Sequence, residues 1–188
     1  MRPWIKRAVD TLLNDGVIAY PTEGVFGLGC LPDNEHAIRR LLDIKQRDAK
    51  LGLILIAANT RHLQGWVADD DLARLPPPDV SLPISWVVSA GDRVTPLISG
   101  KHRGVAVRIT SNPVAREICT ALQSPLTSTS ANLSGKAVVR NKWMLHRTFG
   151  TLVDYIVPGD CGPASGPSEI RDLGSGRVIR PRIAGQDE

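Results

Sequence analysis

Along this chain, short apolar runs halted by proline or glycine alternate with segments whose apolar residues recur at helical spacing. Strands alternating with helices imply an α/β domain. Trp4, Ile5, Ala8, Val9, Leu12 and Leu13 predict a first helix with Gly16 as its C-cap. Val17-Ile18-Ala19-Tyr20 reads as a buried strand ending at Pro21, and residues 24–29, Gly-Val-Phe-Gly-Leu-Gly, as a glycine-rich bend. Ala37, Ile38, Leu41, Leu42 and Ile44 predict a helix with Lys45 and Arg47 near its end. A strand over 51–57 and a helix around 60–67 follow. Leu75-Pro76-Pro77-Pro78 is irregular, either an exposed turn or a short internal linker. Strands are predicted over 85–88, 105–109, 126–129, 153–157 and 177–180, and helices over 113–122 and 138–149. There are no repeats and no low-complexity tract.

The 188 residues suffice for one domain with a sizeable core, and a single domain over 1–188 is expected. Hydrophobic content of 42% and charged content of 22% are those of an ordinary soluble globular protein. The formal charge of +4 is compatible with anionic partners such as nucleotides or RNA. Cys30, Cys119 and Cys161 are widely spaced with no C-x-x-C pair, which argues against a zinc ribbon. They read as small apolar residues of a reducing compartment. Arg2, Lys6, Arg7, Asp10 and Asp15 interrupt the first twenty residues, and no run of eighteen apolar residues occurs. A cytoplasmic protein without a membrane segment is therefore expected.

Residues 127–132, Thr-Ser-Thr-Ser-Ala-Asn, place four hydroxyls and an amide directly after the apolar Pro125-Leu126. Buried polar groups without partners cost about 1–3 kcal/mol each, so this density of them on a strand suits a polar ligand better than a packed core. A serine- and threonine-rich loop would look the same in isolation. A second cluster, Pro21-Thr22-Glu23, with Lys45 and Arg47 after it, favours the ligand. Alternation along a strand would face Ser128, Ser130 and Asn132 to the ligand, and Thr127 and Thr129 to packing.

The glycines at 24, 27 and 29 do not form G-x-G-x-x-G, and no Walker loop is present, so a nucleotide must be held by side chains and short loops. Candidate phosphate ligands are Lys45, Arg47, Lys50, Arg108 and Arg180. Arg108 and Arg180 end the apolar strands Val-Ala-Val-Arg and Arg-Val-Ile-Arg, where open α/β sheets carry ligands. His36, His62, His102 and His146 all lie outside the hydroxyl clusters, so no serine–histidine pairing is supported. Hydroxyls, an amide and cations without a general base suit an anion that is bound and positioned, as in phosphoryl or nucleotidyl transfer.

Six segments in order carry a family resemblance: Pro21 to Leu28, Lys45-Gln46-Arg47, Gly52 to Ile56, Val107-Arg108, Ser128 to Gly135, and Pro167 to Asp172. The chain closely resembles the short, single-domain YrdC-type threonylcarbamoyl-AMP synthases, from about residue 5 to residue 181. The resemblance implies a twisted, open mixed sheet with flanking helices around a concave basic cleft. It implies that L-threonine, bicarbonate and ATP, with Mg²⁺, give threonylcarbamoyl-AMP and pyrophosphate. The adenylate then feeds a downstream transferase complex that modifies tRNA adenosine 37. It further implies that Thr22 contacts the threonine or carbamate end, that Lys45 and Arg47 hold phosphates, and that Arg108 sits at the carboxylate or phosphate junction. Ser128, Ser130 and Asn132 would bind the nucleotide and carbamoyl group, with Ser168 and Arg180 completing the nucleotide side. Glu23 reads as a structural hydrogen bond to the glycine-rich bend rather than a metal contact.

The chain departs from the family pattern at Asp48, where proline is usual, and at Leu51, where many relatives carry lysine. Asp79-Val80-Ser81-Leu82-Pro83 replaces the usual Trp-Pro-Gly-Pro, and Glu169 stands where many long relatives have threonine. The alternative function is a tRNA or double-stranded RNA binding module without catalysis. Against it, aromatics are only 4% and none sits in the hydroxyl and cation clusters. A carbamoyltransferase of the hydrogenase-maturation type would need additional domains and paired cysteines.

Overall fold

The computed structural model describes residues 1–182. In chain order the elements are α1 (Pro3–Leu13), β1 (Ile18–Pro21), β2 (Phe26–Gly29), α2 (Glu35–Lys45), β3 (Ile54–Ala57), α3 (Asp69–Leu72), β4 (Ile84–Ser89), α4 (Pro96–Ser99), β5 (Gly104–Ile109), α5 (Pro113–Leu122), β6 (Leu126–Ser130), α6 (Lys142–Phe149), β7 (Tyr155–Ile156), β8 (Glu169–Asp172) and β9 (Val178–Arg180). The strands of the described residues form one mixed sheet in the order β7-β1-β2-β6-β3-β5-β4-β8-β9. Pairings β1–β7, β3–β5 and β4–β8 are parallel and the remainder antiparallel.

Two apolar clusters sandwich the sheet. On one face α2 and α6 bury Ile38, Leu41, Leu145 and Phe149 against Phe26, Leu28, Leu55 and Val107. On the other, α1 and α5 bury Ile5, Leu12 and Ile118 against Ile18, Tyr20, Ile56 and Leu126. Each such side chain contributes about 1.5–3 kcal/mol when fully buried. Side chains alternate across a strand, so Ile54 shares the face of Ile56, and Ser128 and Ser130 share that of Leu126. Beyond the reach of α1 and α5 that face is uncovered, and the cleft opens there.

Several sequence expectations shift. Residues 26–29 are a strand, not a bend: β2 closes a hairpin on β1 and pairs with β6. The helix around 60–67 is reduced to a single 3₁₀ turn, Thr60–Leu63, because Gly65 takes φ 77° and ends any helical path. The first helix ends at Leu13, and the left-handed residue after it is Asp15 (φ 61°), not Gly16. The last helix begins at Lys142 rather than 138, where the Asn141 side chain accepts from Trp143 N. Residues 75–78 form an irregular loop. The strand β8 was not foreseen, since Glu-Ile-Arg-Asp carries a single apolar residue. The tail of the 1–188 domain expectation, residues 183–188, lies outside the described residues.

Candidate functional site

The cleft on the uncovered face encloses about 210 Å³. Its polar wall is drawn from distant parts of the chain: Thr22 from the β1–β2 turn, Arg47 from the segment after α2, and Arg108 from β5. Ser128 and Ser130 come from β6, Ser168 from the loop before β8, and Arg180 from β9. Apolar residues are interleaved with them: Ile54 pairs with Ser128 and Ala106, and Ile170 with Arg180, and Leu53 also lines the cleft. The polar groups suit an anion and the apolar surface between them a flat or apolar group, as small-molecule sites commonly combine.

β6 is divided between two partners. Its first half pairs with β3, Ile54 opposite Ser128, and its second with β2, Gly27 opposite Ser130. Thr127 faces away from the cleft: its hydroxyl donates to Cys30 O (3.0 Å) and accepts from Cys30 N (2.9 Å), in effect extending the ladder. Thr129 keeps the expected alternation, since it pairs with Leu28 and shares that residue's packed face. It is buried but contributes to the cleft lining, at the point where the strand changes partners. Asn132 is absent from the lining. Its Oδ1 accepts from Ser130 Oγ (2.7 Å), while its Nδ2 donates to Leu133 O and Lys136 O.

Lys45 lies beneath the cleft rather than in its wall. It is 2% exposed. Its ammonium donates to Ser130 O, to Asn132 O (2.7 Å) and to Asn132 Oδ1 (3.2 Å), so its three protons all have acceptors. Burial, with Arg47 adding like charge, pushes this ammonium down to about 7, whereas the three oxygens favour its charged form. Contact with a phosphate would require release of at least one of them. Lys50 is exposed and outside the lining.

Three guanidiniums converge on the cleft. Arg47 donates Nη2 to Gly52 O (3.0 Å) and keeps a buried Nε without a partner. Arg180 donates Nη2 to Ser168 O (2.7 Å). Burial, and then the proximity of Arg47 and Arg108, pulls Arg180 below its ordinary value. Arg108 alone has a carboxylate among the described residues: its Nη2 lies 3.2 Å from Glu23 Oε2, both side chains being buried. Crowded, desolvated cations of this kind are stabilised by an anion between them.

Glu23 bonds elsewhere than to the glycine-rich segment. Its Oε1 accepts from Thr110 Oγ1 (2.6 Å) and Ser111 N (2.8 Å), just ahead of α5. Burial alone would raise this carboxyl, but Arg108 and those hydrogen bonds hold it below the usual carboxylate value. The segment 158–168 straps the site: Gly162 N donates to Thr22 O and Ala164 N to Glu23 O. Gly24 permits this approach, since a Cβ there would stand 2.3 Å from Gly166 O.

The sequence did not point to Ser85 or His102. Ser85, fully buried on β4, bridges Arg108 Nη1 (3.3 Å) and Ser168 Oγ (2.9 Å). His102 reaches the cleft from the turn before β5, and its neighbours Lys101 and Arg103 make that turn look like plain solvated charge. A protein-held Mg²⁺ does not fit. No carboxylate of the described residues lines the cleft, and Glu23 behind it is engaged by Thr110, Ser111 and Arg108, whereas Mg²⁺ takes free oxygen ligands.

The pattern of the Sua5_yciO_yrdC family, described as telomere recombination, matches residues 10–182. The chain belongs to the Sua5_yciO_yrdC family. Within it, a protein of Stenotrophomonas maltophilia named threonylcarbamoyl-AMP synthase is 44% identical over 177 residues, covering 92% of this chain and 95% of its own. A protein of the same name from Photobacterium profundum is 39% identical over 180 residues, covering 94% of this chain and 97% of its own. Among solved structures, P. abyssi Sua5 complexed with L-threonine superposes with a TM-score of 0.83 at 26% identity. That match covers 95% of this chain and 54% of Sua5, so the chain spans about half of that neighbour. E. coli YciO, at 23% identity and TM-score 0.79 over 96% of this chain and 90% of its own, shares the fold. No helix of the described residues is long and apolar enough to cross a membrane.

Proposed function

We propose that the chain is an L-threonylcarbamoyladenylate synthase, acting in the cytoplasm as one domain. It would join L-threonine, bicarbonate and ATP into threonylcarbamoyl-AMP and pyrophosphate, a nucleotidyl transfer. The product would be handed to a transferase complex that modifies tRNA adenosine 37. The observation that carries this reading is the convergence of Arg47, Arg108 and Arg180 on one cleft beside Thr22, Ser128, Ser130 and Ser168. The names of relatives at about 40% identity over nearly the whole chain agree with it.

The chemistry asks for positioning and charge rather than a protein nucleophile. Threonine's amine attacks bicarbonate with loss of water, and an oxygen of the resulting carbamate attacks the α-phosphorus as pyrophosphate departs. Carbamate is short-lived in water, so a strapped, half-apolar cleft favours its capture. Arg47 and Arg180, without carboxylate partners among the described residues, hold the polyphosphate and receive the leaving group's charge. Arg108 stands at the junction of carbamate and phosphate. Thr22 donates its hydroxyl to Val25 O (2.7 Å), which leaves its oxygen to accept from the threonine end. Ser128, Ser130 and Ser168 bind the nucleotide and carbamoyl groups. Asn132 and Lys45 support Ser130 from below, and the Lys45 ammonium adds positive charge under the phosphates. Mg²⁺ would arrive with ATP, held by the phosphate oxygens, and would screen their charge.

Pyrophosphate release with each substrate omitted in turn tests this reading. Release should require threonine and bicarbonate together. Equal release without threonine would refute it. Salt-dependent RNA affinity without ATP binding would instead support the RNA-binding module.

A further inference from the structure

Arg108 lines the cleft, and Glu23 stands behind it. Arg108 is held by one group from the β1–β2 turn and one from β4: Glu23 Oε2 ion-pairs with Nη2 (3.2 Å) and Ser85 Oγ accepts from Nη1 (3.3 Å), while the buried Nε has no hydrogen-bond partner. Glu23 is itself immobilised by Thr110 and Ser111, and Ser85 by Ser168. Arg47 and Arg180 have carbonyl partners only, so their charge is uncompensated among the described residues.

We propose that Glu23 and Ser85 are positioning residues for Arg108, and that Glu23 also sets the charge pattern of the cleft by neutralising that one guanidinium. A neutralised guanidinium is a directional donor for the carbonyl or carboxylate of the carbamoyl-threonine end. The polyphosphate is drawn instead to Arg47 and Arg180. Arg108 can then orient the attacking group without competing for the phosphates. This inference rests on the synthase reading.

The test compares the wild type, Glu23→Gln, Ser85→Ala, Arg108→Lys and the two double variants, by turnover and by calorimetric binding of inorganic pyrophosphate alone. In Glu23→Gln, kcat should fall at least about tenfold while pyrophosphate binds at least about fivefold more tightly, because a buried negative charge beside the cleft is gone. Simple structural damage would weaken that binding. Ser85→Ala should lose at least about threefold in kcat with pyrophosphate affinity unchanged. Both losses should vanish in the Arg108→Lys background. Pyrophosphate binding that is unchanged or weaker in folded Glu23→Gln, or additive losses in the doubles, would overturn the proposal. If Glu23→Gln does not fold, Ser85→Ala decides: a loss absorbed by Arg108→Lys supports it and unchanged turnover overturns it. Should the wild type release no threonine-dependent pyrophosphate, the synthase reading fails, and the binding arm still decides the charge pattern.

Discussion

At the scale of single residues, Lys45 is a cation held by oxygen atoms of β6 and the loop that follows it. Lys45→Met would take the side-chain donor from Asn132 O and one of two donors from each of Ser130 O and Asn132 Oδ1, which keep Asn132 N and Ser130 Oγ. Unfolding in urea should show a loss of about 2–4 kcal/mol, and turnover should fall because Ser130 and Asn132 lose their anchor. Unchanged turnover in a folded Lys45→Ala or Lys45→Met protein would remove Lys45 from the account of the site. The same ammonium gives a pH dependence with a definite sign. Its folded value is pushed down to about 7 from an ordinary 10.5, so between these the unfolded chain binds more protons. Its contribution to stability is complete above about 10.5 and is lost as pH falls through about 7. Relative to Lys45→Met, the wild type should gain more than about 1 kcal/mol between pH 6.5 and pH 9. A difference that stays flat or shrinks over that range would show that the three oxygens outweigh burial.

At the scale of elements, the strap over 158–168 is joined to the β1–β2 turn by Gly162 and Ala164, with Gly24 as the point of closest approach. Gly24→Ala would drive a methyl group into Gly166 O and Ala164 O. The melting midpoint should drop, with a cost of about 1–3 kcal/mol, and the KM for threonine should rise as Thr22 shifts. A variant with wild-type KM would mean that the strap does not shape the threonine end. The elements themselves were legible to different degrees. β5 and α5 carry long apolar or periodic signals and are found nearly where the sequence places them, whereas the strand expected over 51–57 starts only at Ile54, because Ala49–Leu51 forms a 3₁₀ turn and Gly52 takes φ 65°. β8 escaped because a half-buried parallel strand of Glu-Ile-Arg-Asp takes its identity from β4, not from its own composition. β2 reads as a bend in the sequence because glycines usually break strands, yet here Gly27 keeps the cleft floor open and Gly29 lets Thr127 come close.

At the scale of the whole molecule, the cleft exists because α1 and α5 cover only part of one sheet face, and the polar ends of β5, β6 and β9 meet over the remainder. Arg108, Arg180 and Ser128 could be picked out from sequence because strand ends carry their own signal. Glu23's partnership with Thr110 spans 87 residues, and Ser85's with Ser168 spans 83, so neither leaves a local trace. The basic excess of the chain likewise says little until Arg47, Arg108 and Arg180 are seen to share one site. The central claim is that this site builds an adenylate from three substrates. Its most direct test is mass spectrometry of the adenylate formed from ATP, L-threonine and carbon-13 bicarbonate. The account predicts a single adenylate carrying both the threonine mass and one heavy carbon, and its loss in Arg47→Ala. An adenylate lacking the heavy carbon, or AMP alone at equal yield with and without threonine, would contradict it.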